Sequence, residues 1–270
     1  MNRKALIQQI QKKGTYLCVG LDPDPKKLPP HLLKYDNPVL EFNKAIIEAT
    51  SDICVAYKPN VAFFEALGLD GLKTLNDTRS FIPEECFTIA DAKRGDIGNT
   101  ATMYAKAFLE DMNFDSITVA PYMGRDSVEP FLQFEDKWAI VLGLTSNKGN
   151  EDFQRKLLGE IPLYEQVIKT TMSWGTPDNL MFVIGATNEE DFEHIRSFCP
   201  DHFFLVPGVG AQGGDLEKLS QYGLNKDAGL LVNSTRGIIY ASNGKDFAEK
   251  AREEALTINE QMKSLMTRYC

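Results

Sequence analysis

Short runs of apolar residues recur along the chain at roughly thirty-residue intervals, and eight of them have the length expected of buried β-strands. The eight runs are 16–21, 53–57, 86–90, 116–120, 138–142, 180–184, 203–206 and 229–232. Stretches between them place apolar residues at helical spacing, for example 40–50, 62–75, 99–112 and 164–174. This alternation predicts parallel strands that are joined by right-handed helical crossovers.

The number of strand–helix units favours a closed barrel. Eight units in about 250 residues are typical of the (β/α)8 TIM barrel, a single-domain α/β fold. The alternative is an open doubly wound sheet, but no GxGxxG motif follows the first predicted strand. We therefore predict one barrel domain over residues 1–270. The stretch 146–162 is longer than a normal connection and predicts a lid or an insertion.

The amino-acid composition argues against several classes of protein. The formal net charge of -9 and the absence of a basic run argue against a nucleic-acid partner. The sequence contains no run of about 18 apolar residues, the length that predicts a membrane span. The first thirteen residues also lack the apolar core of a signal peptide. We therefore expect a cytoplasmic protein without a membrane partner. The five cysteines have no CxxC spacing, and Cys18, Cys54 and Cys86, which lie in apolar runs, are expected to be reduced core residues.

The three histidines are His31, His194 and His202, and they are scattered among polar segments. This pattern favours neither a zinc site nor a histidine-based catalytic triad. We predict no metal and no organic cofactor. The chemistry should then depend on lysine, aspartate and arginine side chains.

Charged residues cluster where the second and third predicted strands end. Lys58 follows the second run, while Asp91, Lys93 and Asp96 follow the third. In this fold the active site forms at the carboxyl ends of the strands. Residues at i and i+2 of an extended chain point the same way, so Asp91 and Lys93 should lie side by side. Taken alone, the third-strand residues could instead form a solvated turn that caps the next helix.

The loops after strands seven and eight have the features of a phosphate site. Residues 207–214 are rich in glycine and include Gly210 and Gln212, and residues 233–237 include Arg236 and Gly237. Glycine lets backbone N–H groups approach an anion closely, and arginine donates bidentate hydrogen bonds to phosphate oxygens. The alternative is a tight turn next to a surface ion pair.

These residues together resemble the orotidine 5'-phosphate decarboxylase family, in particular its longer bacterial branch. The resemblance covers nearly the whole chain. It rests on Gly20-Leu21-Asp22, Lys58, the motif 91–100 (DAKRGDIGNT), the motif 207–210 (PGVG) and Arg236-Gly237. It implies a TIM barrel that converts orotidine 5'-phosphate to UMP and carbon dioxide without a cofactor.

The resemblance also implies a role for each catalytic residue. Lys93 would protonate C6 of the pyrimidine as carbon dioxide leaves, and Asp91 would lie against the substrate carboxylate. Lys58 and Asp96 would complete an alternating charged array. Asp96 and Thr100 would reach the active site of a second subunit, which implies a homodimer with shared sites.

The remaining family roles concern substrate binding. Asp22 would accept hydrogen bonds from the ribose hydroxyl groups, and Ser146 is the candidate for recognition of the base. The phosphate would be held by the glycine-rich loop and the residues after strand eight, namely Gly210, Gln212, Arg236 and Gly237. Many members of the family carry an aromatic residue immediately after the catalytic lysine, where this chain has Arg94 and Gly95. That departure concerns the packing of the loop rather than the charged residues.

Two other functions remain open at this point. A magnesium-dependent sugar-phosphate decarboxylase or aldolase of the same superfamily, such as 3-hexulose-6-phosphate synthase, has a related acidic and lysine motif on strand three. A non-catalytic barrel that binds a phosphorylated metabolite would keep the glycine-rich loop and Arg236. Such a binder has no evident use for two lysines beside two aspartates.

Overall fold

The computed structural model describes residues 1–185, 189–208 and 215–270. Eight parallel strands close into a barrel in the order β1, β2, β3, β4, β5, β8, β9, β10, which confirms the predicted fold class. These strands are β1 (Leu17–Leu21), β2 (Ala56–Pro59), β3 (Phe87–Arg94), β4 (Ser116–Val119), β5 (Trp138–Leu144), β8 (Leu180–Ile184), β9 (Phe203–Pro207) and β10 (Leu230–Ser234). All eight predicted strands are present, with ends that differ by a few residues.

Helices follow the strands and surround the barrel. They are α1 (Arg3–Lys13), α2 (Pro38–Thr50), α3 (Val61–Glu65), α4 (Gly68–Phe81), α5 (Gly98–Ala105), α6 (Leu163–Met172), α7 (Glu189–Phe198), α8 (Leu216–Gly223), α9 (Arg236–Ile239) and α10 (Phe247–Tyr269). Most of the strand residues are fully buried, because one face of each strand fills the barrel and the other packs against the helices.

Two predicted helices differ from the observed ones. The single helix expected over 62–75 is divided into α3 and α4, because Gly68 at the start of α4 has a left-handed backbone with φ +69°. The helix expected over 99–112 begins as α5 and continues as a π-helix over Lys106–Asp111. Neither change moves a predicted site residue to another strand end.

The long segment after β5 has a structure of its own. It holds a 3-10 helix, Lys148–Asp152, and two short antiparallel strands, β6 (Leu157–Leu158) and β7 (Ile161–Pro162). Its function as a lid stays a prediction. Cys18, Cys54 and Cys86 are buried free thiols, as expected. Over the described ranges, no helix combines the length and the apolar character that crossing a bilayer requires.

Candidate active site

Lys58, Asp91 and Lys93 form one ion-paired cluster at the carboxyl end of the barrel. Lys58 Nζ lies 2.8 Å from Asp91 Oδ2, and Lys93 Nζ lies 2.5 Å from Asp91 Oδ1. The side chains of Lys58 and Asp91 are 6% and 9% exposed, whereas that of Lys93 is 51% exposed. The carboxylate of Asp91 therefore lies between one buried ammonium group and one that faces the open mouth.

The cluster favours the charged forms of Asp91 and Lys58. Burial by itself would raise the pKa of Asp91, but the ammonium groups of Lys58 and Lys93 outweigh burial and hold that pKa well below its ordinary value. Burial would lower the pKa of Lys58, and the negative charges of Asp91 and Asp22 reverse this effect and raise it. A carboxylate held between two ammonium groups at neutral pH is a preorganised electrostatic site.

An irregularity in β3 turns Lys93 toward Asp91. In the pairing of β3 with β4, Ala90 is opposite Ile117 and Arg94 is opposite Val119, so β3 has two more residues than β4 over this stretch. Lys93 has a left-handed backbone with φ 46°. We predicted the proximity of Asp91 and Lys93 from the alternation of an extended strand, and that reasoning was wrong. The bulge, and not a regular pleat, brings the two side chains together.

A cavity of about 470 Å³ opens beside Lys58 and Asp91. Asp22 lines it, and Oδ1 of this residue is buried without a hydrogen-bond partner among the described residues. Burial raises the pKa of Asp22, and the positive charge of Lys58 opposes that rise. An acceptor oxygen without a partner at the cavity wall is suited to the hydroxyl group of a ligand.

Another part of the cavity wall is formed by the end of β10 and the start of α9, including Ser234, Thr235 and Arg236. Gly20 on β1 permits the close approach of this loop, because a Cβ atom there would lie 1.9 Å from Thr235 Oγ1. The side chain of Arg236 forms no ion pair with any carboxylate in ranges 1–185, 189–208 and 215–270, and the residue is exposed. Its guanidinium group is available for an anion in this part of the cavity.

Not all of the predicted site residues meet in this cavity. Asp96 accepts a hydrogen bond from the adjacent Ile97 N–H at 2.8 Å, and within the described residues it pairs with neither Lys58 nor Lys93. Thr100 on α5 is exposed. Ser146 lies at the end of β5, next to Gly185, where a Cβ atom would be 2.6 Å from the Ser146 nitrogen.

Two predicted phosphate-binding residues, Gly210 and Gln212, lie outside the described residues. Gly237 is exposed at the start of α9, and among the described residues a Cβ atom there would meet only Ser234 Oγ, at 4.0 Å. Its backbone is therefore open to an approaching ligand.

Arg94, which departs from the family pattern, has a packing role. Its guanidinium group lies 5.2 Å from the ring centre of Tyr104 and 5.4 Å from that of Phe108, and it pairs with Glu65. Arg94 thus ties the end of β3 to α3 and to the helix that follows. A guanidinium group over aromatic rings contributes a cation–π interaction as well as an ion pair.

The cavity also contains residues that sequence analysis did not single out. Asn233 is 6% exposed, and its Oδ1 has no partner among the residues described. Tyr240 Oη accepts a hydrogen bond from Asp24 N–H at 2.7 Å and donates one to the Asp22 carbonyl at 3.1 Å. Asn60 and Lys27 line the same space. Asn60, two residues after Lys58, and Asn233, directly after the eighth apolar run, had a positional signal in the sequence.

The chain is similar to known proteins both in sequence and in fold. The model of the "Orotidine 5'-phosphate decarboxylase / HUMPS family" matches residues 15–251. The orotidine 5'-phosphate decarboxylase of Flavobacterium johnsoniae is 58% identical over 269 residues, with 98% of each chain covered. The solved structure of Leishmania donovani OMP decarboxylase is 36% identical with a TM-score of 0.82, over 96% of this chain and 99% of that one.

The solved UMP synthase of Leishmania donovani is 38% identical with a TM-score of 0.82. The alignment covers 94% of this chain but 56% of the UMP synthase chain. This chain therefore matches one part of that longer protein.

Proposed function

Because the chain belongs to the orotidine 5'-phosphate decarboxylase family, we propose that Lys93, Asp91 and Lys58 carry out the removal of carbon dioxide from orotidine 5'-phosphate. The chain is a carboxy-lyase that forms UMP. The roles of the individual residues in this reaction are what we propose. The observation that supports them is the Lys58–Asp91–Lys93 ion cluster beside a cavity whose lining includes Arg236, an arginine that forms no ion pair within the described residues. The cytoplasmic location stays a prediction.

Lys93 is proposed to supply the proton. Loss of carbon dioxide leaves an electron pair at C6 in the plane of the pyrimidine ring, where the ring π-system cannot delocalise it. A cation that is already in position stabilises such a carbanion. The half-exposed ammonium group of Lys93 faces the mouth of the barrel and can then transfer its proton to C6.

Asp91 is proposed to act on the carboxylate that leaves. Two like charges at about 4 Å repel by roughly 4 kcal/mol at an effective dielectric constant near 20. The two lysines keep Asp91 ionised, so this repulsion would be present in the bound substrate and lost when carbon dioxide departs. The buried Lys58 holds Asp91 Oδ2 in place.

Contacts far from the pyrimidine are proposed to hold the substrate against that repulsion. Arg236 and Gly237 would bind the phosphate, with Gly210 and Gln212 from the preceding loop, and Asp22 would accept hydrogen bonds from the ribose. Binding energy at remote groups can position a substrate in a strained site. Ser146 stays the candidate for the base.

The assay that tests the function follows the ultraviolet absorbance of orotidine 5'-phosphate with and without EDTA. We expect conversion to UMP at a rate that changes less than about twofold with the chelator, because no step assigned to these residues uses a metal. A matched assay with 3-hexulose 6-phosphate serves as the control. Activity on the sugar phosphate alone, lost with the chelator, would instead identify a magnesium-dependent relative.

A homodimer with shared sites is also part of the proposal. Asp96 and Thr100 lie beside exposed apolar side chains at the same loop and helix, including Ile97 at 52% and Met103 at 58% exposure. Exposed apolar groups next to a polar rim are typical of a protein interface. A second subunit would cover them and bring Asp96 to its partner's cluster.

Mixing two inactive variants tests the shared site. In a heterodimer of Lys93→Ala and Asp96→Ala subunits, one site keeps both side chains and the other has neither. Recovery of up to about half of the wild-type rate per heterodimer is therefore expected. Differently tagged subunits let native mass spectrometry count the heterodimers, and each variant alone is the control. Heterodimers that form but stay as inactive as the parents would rule out the shared arrangement.

A further inference from the structure

The hydroxyl group of Thr118 joins the two residues of the bulge in β3. Thr118 lies on β4 and is 1% exposed. Its Oγ1 accepts a hydrogen bond from the Lys93 backbone N–H at 2.8 Å and donates one to Asp91 Oδ1 at 3.1 Å. One buried side chain therefore contacts both members of the Asp91–Lys93 pair.

The first contact replaces a bond of the strand ladder. Where β3 has two extra residues, the N–H of Lys93 has no opposite carbonyl in the regular register with β4. Lys93 also has φ 46°, a region that residues other than glycine enter at an energetic cost. The hydrogen bond to Thr118 Oγ1 supports this backbone and so fixes the direction of the lysine side chain.

The second contact orients the carboxylate. Asp91 Oδ2 accepts from Lys58, while Oδ1 accepts from both Lys93 Nζ and Thr118 Oγ1. With the N–H of Lys93 as its donor, the hydroxyl group must direct its single proton to Asp91. Rotation of the Asp91 carboxylate would break this bond together with the two ion pairs.

We propose that Thr118 is a positioning residue for the decarboxylation, which holds the Lys93 backbone and the Asp91 carboxylate in the arrangement the reaction uses. The inference rests on the proposed function of Lys93 and Asp91. Thr118 is not among the described residues that line the cavity, so its contribution should be to the chemical step and not to substrate binding.

Three variants test this role. Thr118→Val keeps the shape of the side chain but removes both hydrogen bonds, and Thr118→Ser keeps the hydroxyl group. Ser116→Ala is the matched control, because Ser116 lies on the same strand and donates a buried hydrogen bond to the Thr88 carbonyl of β3 at 3.1 Å, away from the cluster. The measurements are kcat and KM for orotidine 5'-phosphate, the Kd of UMP and the Tm of each variant.

We expect Thr118→Val to lower kcat by about 10- to 100-fold, because a displacement of catalytic groups by a fraction of an ångström to 1 Å has effects of this order. KM and the Kd of UMP should change less than about threefold. Thr118→Ser should restore kcat to within about threefold of wild type, and Ser116→Ala should keep wild-type kcat even if its Tm falls.

Two results would overturn the inference. One is wild-type kcat in Thr118→Val, and the other is a low kcat in Thr118→Ser despite an intact fold. If Thr118→Val unfolds, the serine variant still decides, because it retains the hydroxyl group in question. An active Lys93→Ala protein would show that the proposed function itself is wrong, whereas an inactive Lys93→Ala with an active Thr118→Val would contradict only the role of Thr118.

Discussion

Replacement of Lys93 by alanine is expected to lower kcat by at least about 10⁴-fold, because the change removes both the proton donor and the cation that stabilises the carbanion. The fold should remain intact, since the side chain is 51% exposed and Asp91 keeps its pair with the buried Lys58. Turnover of orotidine 5'-phosphate and thermal unfolding of the same preparation measure the two effects separately.

Lys12→Ala is a suitable control for the Lys93 variant. Lys12 is exposed on α1, at the amino end of the barrel, and has no contact with the cavity. Its loss should leave kcat unchanged within about twofold. A Lys93→Ala protein with wild-type turnover would show that another group delivers the proton, and it would remove the basis of the proposed mechanism.

Replacement of Arg236 by alanine should produce the second large effect, a decrease in kcat/KM for orotidine 5'-phosphate of about 10²- to 10³-fold. A guanidinium group can donate two charge-assisted hydrogen bonds to a phosphate, and each contributes about 1.5–3 kcal/mol. The same variant should convert unphosphorylated orotidine as well as the wild type does, within about threefold, because that substrate has no phosphate to lose.

The comparison of the two substrates is the decisive feature of this experiment. Arg252→Ala provides a matched control, since Arg252 pairs with Asp52 on the outside of the barrel and not with the cavity. It should affect neither substrate. Equal losses for the nucleotide and the nucleoside in Arg236→Ala would mean that Arg236 supports the loop and does not bind the phosphate.

The two lysines of the cluster have different environments, and we therefore expect them to have different functions. Lys58 is nearly buried, pairs with Asp91 Oδ2 and has a raised pKa, so it is suited to fixing a charge and not to releasing a proton. Lys93 faces the mouth of the barrel, where a substrate can reach its ammonium group. A single carboxylate between them orients both.

The fold and the identity of the central residues could be predicted from the sequence for physical reasons. Each barrel strand is buried on both faces and therefore appears as an apolar run, and parallel strands place their carboxyl ends at one edge. These rules locate Lys58, Asp91 and Lys93 at the same end of the barrel before any coordinate is known. They also identify Arg236 as a phosphate-binding candidate.

The contacts of Thr118 and Tyr240 cannot be predicted from local sequence patterns. Thr118 is one residue of an ordinary buried strand, and its contacts with Asp91 and Lys93 arise from the register between β3 and β4. Asn233 and Tyr240 reach the cavity only because the barrel closes between β1 and β10.

The sequence by itself determined the barrel and the position of the charged residues after its strands, because the burial of a strand appears locally as an apolar run. Only the tertiary structure decided how Asp91 and Lys93 meet. Regular alternation correctly predicted that Asp91 and Lys93 are neighbours, but for the wrong reason. Two extra residues in β3 and the left-handed backbone of Lys93 bring the two side chains together. The register of a strand and the backbone conformation at a bulge depend on the strand that pairs with it. They therefore cannot be predicted from the sequence of one strand alone.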